Sequence, residues 1–184
     1  MKWFSLLILC LFFSVATPAN AYQTVAMDFP GNWYKIKYIN NERDAIVQFV
    51  RQGYNQNNWD ESVIFHTFKW TQERGMPAKN LLLSLLSDVQ RKNNTLKVQY
   101  IRLDEEEALV SWCVNAVKDM PAHCEILRTT QSFEGALSMH YVNKDIRHFY
   151  TVKQDWVERI SNARVYQSYF RLDRILNKSM TFEL

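Results

Sequence analysis

Hydrophobic and polar positions change period along this chain, and each change marks an element. In "WYKIKYI", Tyr34, Ile36 and Tyr38 alternate with Lys35 and Lys37, which is the pattern of a half-buried strand. The polar turn Asn40 to Asp44 leads into "AIVQFV", where Ile46 and Val50 share one face and Val47 and Phe49 share the other. An Asn/Gln-rich turn at 55–58 precedes a third strand, Ser62 to Trp70. The period then becomes helical. Leu81, Leu82, Leu85, Leu86 and Val89 make one stripe, with Ser84, Ser87, Asp88 and Arg91 opposite. Pro77 suits the first turn of this helix and Asn93-Asn94 its stop.

Beyond the helix, "TLKVQYIRL", "ALVSWCVNAV", "CEILRTTQSF" and "ALSMHYV" read as an antiparallel meander. Its turns are the acidic run Asp104 to Glu107, a polar link with Lys118, Asp119 and Pro121, and Glu134-Gly135. A last helix is predicted from a capping box at Thr151-x-x-Gln154, with Val152, Trp156, Ile160, Ala163 and Phe170 as its apolar stripe. "NKSMTFEL", residues 177–184, reads as a loosely held tail. The order of elements predicts a single α+β domain over 22–184, a mostly antiparallel sheet with two main helices packed on one face.

The chain opens "MKWFSLLILCLFFSVATPANA", with one lysine, a short apolar run and the small residues Ala19-Asn20-Ala21. That is the layout of a cleavable secretory leader over 1–21. The apolar run is shorter than the roughly 20 residues a membrane-spanning helix needs. Cys10 follows Leu9 and no cysteine follows Ala21, so a lipidation site is not expected. The expected address is the periplasm or the exterior.

Net charge is +3, but residues 144–178 carry eight Lys/Arg against four Asp/Glu. So small a surplus in an exported chain does not suggest nucleic-acid binding. Lys153, Arg164 and Arg171 beside the last helical stripe would suit either a solvated face or contact with a membrane surface.

Candidate chemistry is sparse. Cys113 and Cys124 are the two cysteines beyond the leader, and an even number in an oxidising compartment predicts a disulfide. Neither Cys-x-x-Cys nor a four-ligand zinc pattern is present. With four glycines in the chain, a backbone cradle for phosphate is not expected, and no cofactor or metal site is predicted. His66 lies on a strand face with Ile64, Phe68 and Trp70, which predicts a hydrogen-bonded wall residue. His140 shares a face with Ser138 and Val142. A hydrolase would have to gather His66 or His140 with Glu61, Glu125 or a serine such as Ser111 or Ser138. The tryptophans, Trp59, Trp70 and Trp156 among them, exceed what one small core needs and suggest a contact surface. An apolar-ligand carrier would instead show a hollow between helix and sheet.

The stretch "YKIKYINNERDAIVQFVRQGYNQNNWDESVIFHTF" resembles the front of a loosely defined group of small exported bacterial proteins. Their pattern is a strand pair, a polar stretch ending Asn-Trp-(acid/Ser)-Glu and a hydrophobic strand. Asn58, Trp59, Asp60, Glu61 and Val63 to Phe68 match it, while Arg51 and Gln52 replace a usual proline and acid. "VSWCV", "CEILR" and "GALSMHYVNKD" resemble that group's cysteine-bearing hairpin and final strand. The resemblance implies a fold and a compartment but no catalytic residues. The Asn/Lys-rich style is also similar to exported proteins of intracellular gammaproteobacteria, some of them accessory envelope parts of type IVB (Dot/Icm-like) secretion machines. The reading that follows is a non-catalytic exported domain that binds an envelope protein.

Overall fold

A computed structural model describes residues 22–168, 175–176 and 179–183. The leader 1–21, Phe170 and Arg171 lie outside the described residues. The α+β class and the antiparallel sheet are as expected. Seven strands form the main sheet in the order β2(Trp33–Asn40), β3(Asp44–Arg51), β4(Glu61–Phe68), β8(Gly135–Asn143), β7(His123–Ser132), β6(Glu107–Val114), β5(Lys97–Leu103). The meander β5 to β8 thus joins the front strands through an antiparallel β4–β8 pair, with Ile64 opposite His140 and His66 opposite Ser138.

A second, four-stranded sheet was not anticipated. It runs β10(Ile175–Leu176), β11(Ser179–Glu183), β1(Tyr22–Asp28), β9(Arg164–Ser168). Residues 179–183, expected as part of a loose tail, pair with β1, Val25 standing opposite Phe182.

The helices are α1(Trp70–Arg74), α2(Ala78–Lys92) and α3(Ile146–Asn162). They divide between the two faces of the main sheet instead of sharing one. On β7, Thr129 donates from Oγ1 to Ala78 O at the start of α2, at 2.8 Å. The neighbouring Arg128 donates from Nη1 to Ile160 O and Ala163 O at the end of α3, both at 2.8 Å. Successive strand residues point to opposite faces, so the helices must lie on opposite sides. The core divides the same way. Phe149, Trp156 and Ile160 of α3 pack with Ile126, Leu137, Met139 and Tyr141, together with Val25 and Met27 of the small sheet. Leu82 and Leu86 of α2 pack with Ala108, Val110, Trp112 and Leu127.

Helix α3 begins before the expected Thr151. Asp145 caps it, accepting from Arg147 N at 2.9 Å and His148 N at 3.0 Å, an N-terminal cap worth about 1 kcal/mol. Its apolar stripe is core, with Trp156 1% exposed. Lys153 donates to Gln99 Oε1, and Arg164 belongs to β9.

At the β7–β8 turn Gly135 has φ +132°, and a Cβ there would collide with Phe68 O. Only glycine lets that turn close against the end of β4.

Cys113 and Cys124 are bonded and stand directly opposite each other on β6 and β7. The bridge ties the hairpin whose loop carries Lys118 and Pro121. A double Cys113→Ser/Cys124→Ser variant should lose about 3 kcal/mol of unfolding free energy, measured by urea titration. Wild-type protein under reductant should show the same loss.

Candidate functional site

The half of the main sheet that α2 leaves uncovered carries the chain's densest polar chemistry. On the α2 side of β4, β8 and β7 lie Ser62, Ile64 and His66, then Ser138 and His140, then Glu125. Ser138 Oγ is 2.7 Å from His140 Nε2, and His140 Nδ1 is 2.6 Å from Glu125 Oε1. One strand over, His66 Nε2 donates to Asp44 Oδ1 at 2.9 Å, and its ring stacks on Phe68 with centroids 3.7 Å apart. Gln48 Nε2 donates to Ser62 Oγ at 2.9 Å.

The connectivity Ser138–His140–Glu125 is that of a nucleophile, base and orienting acid. The surroundings do not suit the chemistry. Ser138 is fully buried, so its hydroxyl has no face open to an acyl group. It lies in the middle of β8, which is paired on both sides, so the neighbouring strand N–H groups serve the ladders. An oxyanion needs donors aimed at free space. The arrangement is a cross-strand tie holding β4, β8 and β7 together.

Glu61 stands apart on the α3 side of the sheet. Its carboxylate receives Arg51 Nε at 3.0 Å and lies 2.9 Å from His148 Nε2 in the first turn of α3. Both histidine candidates therefore share one face while Glu61 is on the other. Ser111 is also on the α3 side, since it stands opposite Ile126. Sequence reasoning named Glu125 only as one acid among several, and its link to His140 depends on the β7–β8 register. The Glu61–His148 pair went unseen because it joins a strand to a helix far along the chain. Among the described residues no group of three His, Cys, Asp or Glu is placed to hold a metal ion.

The three tryptophans do not form a surface. Trp156 is core, stacked on Tyr141 at 4.1 Å and edge-on to Trp33 at 5.6 Å. Trp59 lies under Lys144 Nζ, 3.8 Å from the ring centre. Trp70 packs edge-on against Phe68, with Arg74 over its face. A cleft of about 450 Å³ between α3 and the small sheet is lined by Asp28, Asp155, Glu158, Arg159 and Arg164. Such charged walls do not suit an apolar ligand.

Exposed apolar side chains collect elsewhere, on the two edge strands of the main sheet, β5 and β2. Tyr100 is 53% exposed, Ile101 42% and Leu103 39%. Strand β5 ends the main sheet, and among the described residues no strand pairs with its outer side. The opposite edge, β2, exposes Tyr34 (50%) and Tyr38 (52%) but carries Lys35 and Lys37 near its middle, a usual guard against unwanted pairing, whereas the cations of β5, Lys97 and Arg102, stand toward its ends.

Burial lowers the pKa of His66 below its ordinary 6.5. The unfolded chain therefore takes up that proton first, and this contribution to stability, complete above 6.5, is lost as pH falls through it. The drop in melting temperature on acidification should be smaller in His66→Gln. For the tie, Ser138→Ala and His140→Gln should each cost about 1–3 kcal/mol of stability, read by urea unfolding. An active-site role would instead leave stability near wild type.

No protein-family model and no curated protein matches the sequence. Among solved structures, the solution structure of cyanobacterial PsbP (CyanoP) from Synechocystis sp. PCC 6803 is similar. The TM-score is 0.44 at 15% identity, over 83% of this chain and 98% of that one. A likeness at this level assigns no function.

Proposed function

We propose that this chain is an exported, non-catalytic binding domain that takes up an extended segment of another envelope protein along strand β5. The observation that carries the reading is the exposed apolar edge itself, Tyr100, Ile101 and Leu103 on a strand with an open hydrogen-bonding side. Strand addition suits such an edge, because main-chain bonds supply affinity and alternate side chains supply selectivity. The Cys113–Cys124 bridge supports an oxidising compartment, and the leader pattern supports delivery there. The sequence resemblance favours an accessory envelope component, of the type IVB secretion kind, as the setting. A hydrolase is less well supported because Ser138 is buried. Membrane docking through α3 is less well supported because its apolar stripe faces the core.

A photoreactive residue placed at position 101 in living bacteria tests this. Ultraviolet light should join the protein to an envelope protein. The same probe at position 38, on the guarded edge, should give far less adduct. Equal labelling at both positions, or none at 101, would overturn the reading.

A further inference from the structure

We propose that β5 also docks on β5 of a second copy, the two strands running antiparallel about a two-fold axis. The inference rests on the reading of β5 as a docking edge and names one occupant of it. A two-fold contact requires a surface complementary to itself. The run Lys97-Val98-Gln99-Tyr100-Ile101-Arg102-Leu103-Asp104 has that property when set against its own reverse. Lys97 meets Asp104, Val98 meets Leu103, Gln99 meets Arg102, and Tyr100 meets Ile101. Lys97 and Asp104 oppose in charge, two pairs are apolar, and Gln99 and Arg102 are polar, each also bonded within its own chain, to Lys153 and Glu107.

In a regular strand this register would fail. The members of each pair would have opposite parity and point to opposite faces of the joined sheet. The bulge in β5 removes the conflict. Lys97, Gln99 and Arg102 stand opposite Cys113, Ser111 and Leu109 of β6, whereas Val98, Tyr100 and Leu103 stand opposite Trp112, Val110 and Ala108. The pairing register shifts between Tyr100 and Arg102, so Ile101 is the extra residue and parity flips at the strand's midpoint. Leu103 thereby shares the face of Val98, and Asp104, just past the strand, stands 3.8 Å from Arg102, which shares the face of Lys97. The flanks extend the match. Glu105, paired with Lys79, and Glu106 follow Asp104 in the exposed turn, and Lys92 and Lys118, with Asp119, line a shared hollow by the β6–β7 loop. Asn115 of that loop is bonded to Asn93 and Thr95, just before β5. Each end with an excess of cations, Lys92, Lys97 and Lys118 against Asp119, would face the end that carries Asp104, Glu105 and Glu106. Self-pairing of β2 would instead bring Lys35 and Lys37 near their own copies.

The test is sedimentation velocity on the full chain, expressed with its own leader and purified from the periplasm. Wild type should dimerise with rising concentration and dissociate with rising salt. Lys97→Glu and Asp104→Lys each set like charges opposite one another at both ends of the contact, and each should weaken the dimer about tenfold or more. The double variant, Lys97→Glu with Asp104→Lys, restores opposite charges and should recover the dimer. It also serves as the control that neither substitution unfolds the chain. A wild type that stays monomeric at every concentration overturns the inference, as do single variants that dimerise unimpaired or a double variant that does not recover. None of these results touches the envelope-partner reading, which stands or falls on what position 101 captures. A charge-dependent dimer whose position 101 labels only its own copy would sink that reading and leave this inference intact.

Discussion

Strand β7 is covered on both faces, and the rest of the structure is arranged by that constraint. Ile126 and Arg128 face α3, while Leu127 and Thr129 face α2. Arg128 reaches the last carbonyls of α3, where the helix dipole favours a cation, and its Nε stands 2.9 Å from Glu107. One side chain thus couples β6, β7 and the end of a helix. Thr129 does the same for the start of α2 in neutral form. With both helices centred over the middle strands, they reach β5 only through Lys153 on Gln99 and the α2 cluster on Val98, and that strand is exposed along most of its length. The exposed faces of β5 are a consequence of where the helices sit, and its open edge of its place at the end of the strand order.

The polar face beside α2 follows the same logic. Strands β4 and β8 turn one side toward α3 and the small sheet, where Val63, Phe65, Met139 and Tyr141 are buried. Their other side receives partial cover, and buried polar groups there must be paired. Ser138, His140, Glu125, His66 and Asp44 meet that requirement among themselves. A hydroxyl, an imidazole and a carboxylate in line resemble catalytic machinery until access is weighed. The closed hydroxyl of Ser138 decides in favour of a structural role.

The main sheet was readable in the sequence because its strands are local. Tyr34 to Tyr38, Ile46 to Val50 and the β5–β8 runs alternate as strands should and are separated by turn residues. The leucine stripe marked α2 equally well. The small sheet was not readable, since β1 and β11 come from opposite ends of the described chain and are short. Pattern alone does not pair such segments. The start of α3 was misplaced because Thr151-x-x-Gln154 has a capping signature, yet Asp145 stands earlier and binds two free N–H groups. Trp156 looked like a surface anchor because composition counts aromatics without locating them. Its stacking on Tyr141 depends on α3 crossing β8, a tertiary fact. The exposure of β5 was hidden as well, since "KVQYIRL" reads like any strand until its place at the sheet edge is known.

The account depends on β5 being an unpaired edge in the free protein that becomes a paired strand on association. Hydrogen exchange resolved to individual amides measures this directly. At low protein concentration the outward amides of β5 should exchange rapidly while those of β7 and β8 exchange near the rate set by global unfolding. At high concentration, or with a bound envelope partner, the β5 amides should become protected and those of β2 should not. Amides of β5 that are slow under all conditions, or fast under all conditions, would contradict the account.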